Sequence, residues 1–388
     1  MIKTHRPILR ACLLALALSC APHRSIAADA PLITISKSDT IAIAIQPISG
    51  PDGGLISKVL AADLAATGYF TISSPGSASL VAGGSTTGSD LSGNVTDHSG
   101  RSAVSNTYSG DARAQAHAFA NDIIQTLTGN KGIAGSRIAF SATRTGQKEI
   151  YIADFDGSAI QQLTHDNSIS VGPSLSPDGH LLAYTGYKAG YADIYLINLA
   201  SGTRDRIIKY PGTNSGAAFS PNGDRIACTL SKDGNPELYV CNLSGGAHRL
   251  THTPGVESSP TWSPTGGEII YSYDAGGGPQ LYRISSSGGS GQPISTGYGY
   301  CTEPNWSPDG AKLAFNVRQS GSFAVAVMDL RGGGTRIVGS GERPVWGPDS
   351  RHLIYSDDGA LVLLDTQTGR KKDIVSGLGR ATEPTWSH

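Results

Sequence analysis

No recognised catalytic pattern joins the reactive side chains of this sequence. A serine hydrolase places its nucleophile on a sharp turn, with glycines two residues before and two residues after the serine. No serine in the chain has both glycines. The HExxH motif, the CxxC motif, the P-loop and the dinucleotide-binding glycine pattern are also absent from the sequence. We therefore predict a protein that is not an enzyme, with no catalytic residues and no cofactor.

A few other side chains have ligand-binding or redox chemistry. His165, Asp166 and His252 fall in predicted loops, where they are either solvated or in contact with a ligand or metal. The sequence favours solvated side chains, and we predict no metal site. Cys228 and Cys241 lie on neighbouring predicted strands. In an oxidising compartment they form either a cross-strand disulfide or a pair of buried thiols, and both states fit the sequence.

An internal repeat organises most of the chain. One large apolar residue recurs at intervals of 40 to 44 residues: Leu175, Phe219, Trp262, Trp306, Trp346 and Trp386. A Ser-Pro-Asp-Gly type of turn follows most copies, as at residues 176–179, because proline presets the backbone angle of a type I turn. Each turn leads into short β-type segments, such as 181–184 and 193–198. Four short strands per repeat predict the blade of a β-propeller.

Two positions in the repeat have a predicted structural role. The large apolar residues are expected to pack between neighbouring blades. The polar residues that end each third strand are expected to form hydrogen bonds with the turn that follows. These polar residues are Asp154, Asn198, Asn242, Ser285, Asp329 and Asp365.

The two ends of the repeat array predict a closed ring. The first unit opens at residues 137–140 (RIAF) and lacks its first strand. The segment 383–388 (EPTWSH) has the sequence of that missing strand alone. We therefore expect residues 131–388 to form an all-β six-bladed β-propeller closed by the C-terminal strand.

Residues 28–130 lack the repeat and are predicted to form a small α/β N-terminal domain. A first helix is expected from about residue 55 to 67, and a second over 111–128. The segment 73–110 is rich in Gly, Ser and Thr and is expected to contain loops and weak strands. The apolar residues of the first helix share one face: Ile56, Val59, Leu60 and Leu64.

The first residues have the layout of a secretory signal. Basic residues precede the apolar segment 11–19, and a small-residue site follows at 25–27, so residues 1–27 are predicted to be a cleaved signal peptide. The apolar segment is shorter than the roughly 20 residues that span a bilayer. The alternative is lipidation at Cys20, which Ala17 disfavours because a leucine is expected three positions before the cysteine.

The charge of the chain disfavours nucleic-acid binding. The whole chain has 30 Lys and Arg against 31 Asp and Glu. Residues 1–27 contain four of these cations and no anion, so the remainder has 26 against 31 and a net charge of −5. A nucleic-acid-binding domain usually carries a basic patch and a high isoelectric point.

The order of these features resembles the TolB family, the periplasmic component of the Tol–Pal system of Gram-negative bacteria. The similarity covers both predicted domains. It is most specific where the second helix ends at residues 127–129 (LTG) and the first blade opens at 137–140 (RIAF). The resemblance implies a periplasmic protein–protein interaction component that supports outer-membrane integrity and constriction at cell division.

The resemblance also implies two partners. The peptidoglycan-associated lipoprotein Pal binds TolB-like propellers at the tunnel mouth, and the inner-membrane protein TolA engages the N-terminal segment, here residues 28–35. Two alternatives stay open, a propeller enzyme and an envelope scaffold with a different partner. The Pal-binding positions implied for this chain lie just before the first strands of successive blades: Thr213, Asn214, Gly216, Ser258, Ser259, Thr302 and Glu303.

Overall fold

The computed structural model describes residues 40–387. The predicted signal peptide, Cys20 and the segment 28–35 lie outside the described residues. Among residues 40–387, no helix is long and apolar enough to cross a membrane. The fold is an N-terminal α/β region followed by six four-stranded sheets.

The N-terminal region is a five-stranded sheet with two helices. Its elements in chain order are β1 (Ile41–Ile45), α1 (Gly53–Ala66), β2 (Phe70–Ile72), β3 (Leu80–Thr86), β4 (Asp90–Asp97), β5 (Ser102–Ser109) and α2 (Ala112–Thr128). The strand order is β2-β1-β3-β4-β5. Strand β1 is parallel to β2 and β3, and the other two pairs are antiparallel.

Both helices follow the sequence prediction. The four apolar residues predicted for one face of α1 are all buried. At the start of α2, the Asp111 side chain accepts a hydrogen bond from the backbone N–H of Ala114, which satisfies one of the free donors of the first turn. At its end, Gly129 adopts a left-handed conformation with φ of 71°, and its N–H donates to the carbonyl oxygen of Gln125.

The prediction was incomplete for the segment 73–110, which contains the regular strands β3, β4 and β5 rather than loops and weak strands. Alternate residues of β4 are buried, and one of them is Gly93. A Cβ atom on Gly93 would lie 3.0 Å from the rings of Phe119 and Tyr108. These two rings stack with a centroid separation of 5.1 Å. They fill the space that a larger residue in β4 would occupy, which hides the alternating pattern in the sequence.

The six sheets that follow are the predicted blades. Blade 1 contains β6 (Arg137–Ala142), β7 (Glu149–Asp154) and β8 (Gln161–Gln162). Blade 2 contains β9 (Ser170–Leu175), β10 (Leu181–Gly186), β11 (Asp193–Asn198) and β12 (Arg204–Ile208). Blade 3 contains β13 (Asn214–Phe219), β14 (Arg225–Leu230), β15 (Glu237–Asn242) and β16 (Ala247–Arg249). Blade 4 contains β17 (Val256–Trp262), β18 (Glu268–Asp274), β19 (Gln280–Ser285) and β20 (Gln292–Pro293). Blade 5 contains β21 (Cys301–Trp306), β22 (Lys312–Gln319), β23 (Ser322–Asp329) and β24 (Thr335–Ser340). Blade 6 contains β25 (Glu342–Trp346), β26 (His352–Asp357), β27 (Ala360–Asp365) and β28 (Lys371–Val375).

The last strand, β29 (Ala381–Trp386), completes blade 1 and confirms the predicted closure. It pairs antiparallel with β6 as the first strand of that sheet. The indole N–H of Trp386 donates to the hydroxyl of Ser136 at 2.8 Å. The backbone N–H of Arg137 donates to the hydroxyl of Ser387 at 2.9 Å. Side chains as well as backbone therefore join the first and last strands of the ring.

The repeated large residues pack between blades, as predicted. Trp262 of blade 4 belongs to one hydrophobic cluster with Leu238 and Val240 of blade 3. Trp346 of blade 6 packs in the same way with Val325 and Val327 of blade 5. The core of the propeller is thus a series of apolar layers between neighbouring sheets.

The N-terminal region packs against the propeller at the end of the ring where the first strands of the blades finish. Arg351 follows such a strand and its turn, and its guanidinium lies 3.8 Å from the centroid of the Tyr69 ring. The same guanidinium forms an ion pair with Asp365. Arg113 of α2 forms an ion pair with Asp154 at the end of β7. Contacts with blade 1 and with blade 6 therefore fix the N-terminal region to the propeller.

Candidate functional site

The first strand of every blade contains a β-bulge at the same repeat position. Its pairing with the second strand shifts register there in each of the six sheets. One residue at each bulge has a positive φ, between 52° and 68°: Gly172, Gly216, Ser259, Glu303, Arg343 and Glu383. Residues other than glycine rarely adopt this conformation, so the bulge geometry imposes it on four of the six positions. We call these six residues the tunnel ring.

The tunnel ring lines a cavity at the centre of the propeller. The cavity has a volume of about 410 Å³ and is enclosed by the first strands of all six blades. The residue after each ring residue also lines it, and in five blades this residue is a proline. Each bulge turns its ring residue towards the space where the blades converge. The internal repeat therefore brings six otherwise distant side-chain positions to one site.

Three consecutive blades contribute charged residues to the tunnel ring. Arg343 lies between Glu303 and Glu383, with guanidinium nitrogens 2.9 Å from Glu303 Oε1 and 3.3 Å from Glu383 Oε1. Lys148 Nζ approaches Glu383 Oε1 at 3.5 Å. Two carboxylates and two cations thus form one network on this side of the tunnel.

The other three ring residues, Gly172, Gly216 and Ser259, are small. On this side of the tunnel mouth the ring residues therefore contribute only backbone atoms and a single hydroxyl. The backbone N–H of Gly172 donates to Glu383 Oε2 at 2.9 Å, which joins the two sides. The tunnel mouth has a charged side and a small-residue side.

The two ring glutamates differ in their protonation behaviour. Burial has the largest effect on Glu303 and raises its pKa, although Arg343 and Asn316 act against this. Asn316 Nδ2 donates to Glu303 Oε2 at 2.6 Å. Burial also acts to raise the pKa of Glu383, but Arg343 and the hydroxyl of Ser141 outweigh it and the pKa is lowered. Glu383 is thus held firmly as an anion, whereas Glu303 is held less firmly.

Six of the seven predicted partner-binding residues lie in first strands rather than before them, and five of these six either belong to the tunnel ring or directly precede a ring residue. Gly216, Ser259 and Glu303 belong to the tunnel ring and line the cavity. Ser258 and Thr302 each precede a ring residue and are half-buried in β17 and β21. These five residues therefore form a continuous arc across blades 3, 4 and 5.

The remaining two predicted residues have different environments. Thr213 is exposed immediately before β13. Asn214 is fully buried as the first residue of β13. Its Nδ2 donates to Asp193 Oδ1 at 3.0 Å and to the carbonyl oxygen of Tyr210 at 2.8 Å. Asn214 thus joins blades 2 and 3, and its side chain is not available at the tunnel surface.

The sequence prediction missed three ring residues, Gly172, Arg343 and Glu383. The resemblance supplied positions from three blades, whereas the tunnel is built from all six. The repeat carries the signal that identifies them, because each directly precedes the proline that stands two residues before the large apolar residue. Extending the alignment of the repeats to every blade would have found them.

Exposed apolar and aromatic side chains lie at the same end of the propeller as the predicted site. Ile169 and Val256 each stand three residues before a ring residue, and both are exposed. Tyr187 and Tyr191 lie in the turn between β10 and β11, and Tyr191 is 74% exposed. The N–H of Tyr187 donates to the carbonyl oxygen of Ile169 at 2.9 Å, which fixes that turn beside the tunnel mouth. We call these four residues the apolar rim.

The two candidate loop histidines fit the expectation of solvated side chains, but Asp166 corrects it. His165 and His252 are exposed. The Asp166 carboxylate lies 3.1 Å from Lys188 Nζ and 2.8 Å from Arg204 Nη1, with little exposure. These cations hold its pKa below the usual value, although burial acts against them. Across residues 40–387, no group of three His, Cys, Asp or Glu side chains is placed to hold a metal ion.

The two candidate disulfide cysteines are both buried thiols in the structure. Their Sγ atoms are 3.6 Å apart. Cys228 pairs directly with Tyr239, and Cys241 with Ile226, so the cysteines are diagonal neighbours on one face of blade 3. Diagonal neighbours lie about 7–8 Å apart, beyond the usual Cα separation of a disulfide. The geometry therefore favours two thiols.

Comparison with known proteins gives a family and a fold. Residues 124–388 match the family model described as the TolB beta propeller domain. A crystal structure of TolB from Acinetobacter baumannii superimposes with a TM-score of 0.80 and 25% sequence identity, covering 90% of this chain and 97% of that chain. The structure of a putative TolB from Agrobacterium tumefaciens is similar in fold, with a TM-score of 0.51 and 19% identity, over 63% of this chain and 90% of that chain.

Curated relatives match over shorter stretches. A protein TolB homolog of Chlorobaculum tepidum is 45% identical over 107 residues, which is 26% of this chain and 25% of the relative. The Tol-Pal system protein TolB of Geobacter sulfurreducens is 43% identical over 86 residues, which is 21% of this chain and 20% of the relative. In these alignments the chain spans about a quarter or less of the relatives' length.

Proposed function

The chain belongs to the TolB β-propeller family, and from this premise we propose that it is a periplasmic component of a Tol–Pal system that works by binding other proteins. The proposal includes export through a cleaved signal at residues 1–27 and a division into an N-terminal domain over 28–130 and a propeller over 131–388. Its role is to support outer-membrane integrity and constriction at cell division. A curated relative from Geobacter sulfurreducens is named a Tol-Pal system protein, which supports this assignment.

The tunnel mouth is the proposed binding site for a Pal-type lipoprotein. The observation that supports it most is the division of the tunnel ring into a small-residue side and a charged side. Gly216 and Ser259 leave room for a protruding loop, and the cavity behind them has a volume of about 410 Å³. Glu303 and Arg343 offer hydrogen-bonding groups that are already held in place by each other. A preformed site of this kind binds without the cost of ordering its own side chains.

The apolar rim extends this site outside the tunnel. Tyr191 and Tyr187 are residues of the type that contributes most to protein–protein binding, because tyrosine buries a large rigid ring and keeps a polar end. We expect a protein partner to cover them when its loop enters the tunnel. The rim and the small-residue side adjoin each other, since Ile169 and Gly172 belong to the same strand region of blade 2.

The N-terminal segment has a proposed binding role of its own. The segment 28–35 is the proposed contact for a TolA-type inner-membrane protein, and deleting it should abolish that binding while leaving the Pal-type binding intact.

The protein is proposed to have no enzymatic activity and no cofactor. The pairing of Arg343 with two ring glutamates supports this, because both carboxylates are engaged with the Arg343 guanidinium rather than directed at a substrate.

The substitution Ser259→Arg tests the tunnel site. Arginine already occupies the same backbone conformation in the ring, since Arg343 has φ of 57° and Ser259 has φ of 52°. The new side chain should fill the small-residue side and weaken binding of a soluble Pal-type domain by about tenfold or more, equivalent to about 1.4 kcal/mol. Isothermal titration calorimetry measures this directly. The matched control is Thr265→Arg, in an exposed turn at the other end of the strands.

Each result of this experiment has a clear meaning. Weakening by Ser259→Arg alone supports the tunnel site. Unchanged binding by Ser259→Arg would place the site elsewhere, and equal weakening by Thr265→Arg would indicate general damage. If the parent protein does not bind any Pal-type domain, the assignment of the partner is wrong.

A further inference from the structure

Two glutamates are buried together between blades 3 and 4. Glu237 opens β15 and Glu257 lies in β17, and both are 0% exposed. The backbone N–H of Glu257 donates to the carbonyl oxygen of Pro236, which brings the two chain segments into contact. Buried carboxyl groups are costly unless each oxygen has a partner, so the hydrogen bonds of this pair need an explanation.

Thr253 connects the two carboxyl groups. Its backbone N–H donates to Glu237 Oε1 at 3.0 Å, and its hydroxyl donates to Glu257 Oε1 at 2.5 Å. Arg249 Nη2 is 2.6 Å from Glu237 Oε1 and is the cation of this pair. One oxygen of each glutamate is therefore satisfied, and a single threonine holds the two groups close to each other.

The other oxygen of each glutamate has no partner. Glu237 Oε2 and Glu257 Oε2 are both buried and accept no hydrogen bond from any described residue. If both groups were ionised, two negative charges would share one cation, Arg249, in a site without solvent. A single proton removes the problem, because the protonated carboxyl then donates to the free oxygen of its neighbour.

The neighbouring blade interface shows the same arrangement with a permanent donor. Asp193 and Asn214 occupy there the repeat positions of Glu237 and Glu257. The amide Nδ2 of Asn214 donates to Asp193 Oδ1 at 3.0 Å. Between blades 2 and 3 an amide thus provides the hydrogen that a carboxyl group must provide between blades 3 and 4.

We propose that Glu237 and Glu257 form a proton-binding site, in which Glu257 carries one proton and, through it, donates a hydrogen bond to Glu237 Oε2. The proton takes the place of the Asn214 amide hydrogen and joins blade 4 to blade 3. The site adjoins the tunnel mouth, because Glu257 is followed directly by Ser258 and the ring residue Ser259. Loss of the proton places two negative charges at this blade interface and loosens the arc that contains Ser258. This inference goes beyond the proposed partner binding and does not depend on it.

The surroundings of the pair agree with this assignment. The pKa of Glu257 is raised to about 7: burial has the largest effect, the hydrogen bond from Thr253 opposes it, and the nearby Glu237 carboxylate adds to the rise. Burial acts the same way on Glu237, but hydrogen bonds from Thr251 and Arg249 outweigh it and its pKa is lowered. Glu257 is therefore the protonated member. The other titratable or charged groups near the pair are Asp233, Tyr239, Arg249 and Tyr271.

Carbon-13 NMR of the glutamate carboxyl groups tests the proposal in the whole folded protein. We expect one resonance that titrates with a midpoint at a pH of about 7, and we expect it to be absent in Glu257→Gln. The glutamine amide should donate to Glu237 Oε2 as Asn214 does to Asp193. The matched control, Glu268→Gln, makes the same charge change at a half-exposed site and should keep the resonance.

Thermal melting gives a second readout with a defined sign. The folded state holds the Glu257 proton, whereas the unfolded chain releases it near the ordinary glutamate pKa of 4.5. The wild type should therefore lose stability relative to Glu257→Gln as the pH rises from about 4.5 to 7, and the difference should then level off. If Glu257→Gln does not fold, Glu237→Gln removes the neighbouring charge and should move the midpoint to lower pH.

Three outcomes would overturn the proposal. In the first, every glutamate of the wild type titrates in the ordinary acid range. In the second, the near-neutral resonance persists in the Glu257→Gln variant. In the third, the resonance shifts only when calcium is added and returns with a chelator, which would identify a cation site instead of a shared proton.

Discussion

Arg351 connects the two parts of the molecule, because it packs against Tyr69 of the N-terminal region and forms a buried ion pair with Asp365 of its own blade. Its Nε is 2.8 Å from Asp365 Oδ1, and its guanidinium lies over the Tyr69 ring. Burial acts to raise the pKa of Asp365, but the hydrogen bonds from Arg351 and Thr368 outweigh it and hold the pKa well below its usual range. The carboxylate is therefore part of the structure at neutral pH.

Replacing Asp365 with asparagine should cost about 3–5 kcal/mol of unfolding free energy at pH 7, because the Arg351 cation would stay buried without its partner. The pKa of Asp365 is lowered in the folded state, so its contribution is present above the ordinary value of 3.8 and is lost as the pH falls below it. Urea unfolding at neutral and acid pH measures both effects. The control Asp373→Asn changes an exposed aspartate and should shift the free energy by less than about 0.5 kcal/mol.

One outcome would contradict the assignment of this stability to the charged pair of Arg351 and Asp365. If Asp365→Asn lowers the stability equally at acid and neutral pH, the loss comes from packing rather than from the charged pair.

The closing strand β29 is the element on which the ring depends. It supplies the first strand of blade 1 and places Trp386 in the hydrophobic cluster that contains Phe140 and Tyr151. Deleting residues 381–388 would leave β6 with an unpaired edge and open an apolar surface to water. We expect the truncated chain to aggregate or to melt without a cooperative transition, as measured by circular dichroism.

A single substitution distinguishes the contribution of the Trp386 side chain from that of the β29 backbone. Trp386→Phe keeps the backbone of β29 and should melt cooperatively at a lower temperature, because it loses ring volume and the hydrogen bond to Ser136. A truncated chain that melts like the full-length protein would refute the closure model.

The elements also show how far the sequence predicts this molecule. The propeller was predictable because each blade repeats the same turn and the same large apolar residue, and β29 matches the strand that blade 1 lacks. Strands β3 to β5 were underestimated because Phe119 of α2 fills the space over Gly93, a contact between residues distant in the sequence. Alignment of the repeats is sufficient to identify Arg343 and Glu383 as ring residues. The burial of Asn214, in contrast, depends on the contact between blades 2 and 3.

At the scale of the whole molecule, the N-terminal region and the propeller share one hydrophobic cluster. It includes Leu64 and Ile124 from the two helices together with Ile138 and Leu363 from blades 1 and 6. We expect a single transition in differential scanning calorimetry, with equal calorimetric and van't Hoff enthalpies, because neither part buries its apolar surface without the other. Two separated transitions would show that the parts unfold independently.

The seam of the ring has a consequence for how the protein is made. Arg137 and Ser387, which meet at the seam, are 250 residues apart in the chain. Synthesis proceeds from the N-terminus, so blade 1 emerges early and keeps an open edge until β29 has been made. A chain that stops early therefore leaves an unpaired strand edge that invites aggregation. The ring thus closes only when β29 has been made, because this strand completes blade 1, the first blade to be synthesised.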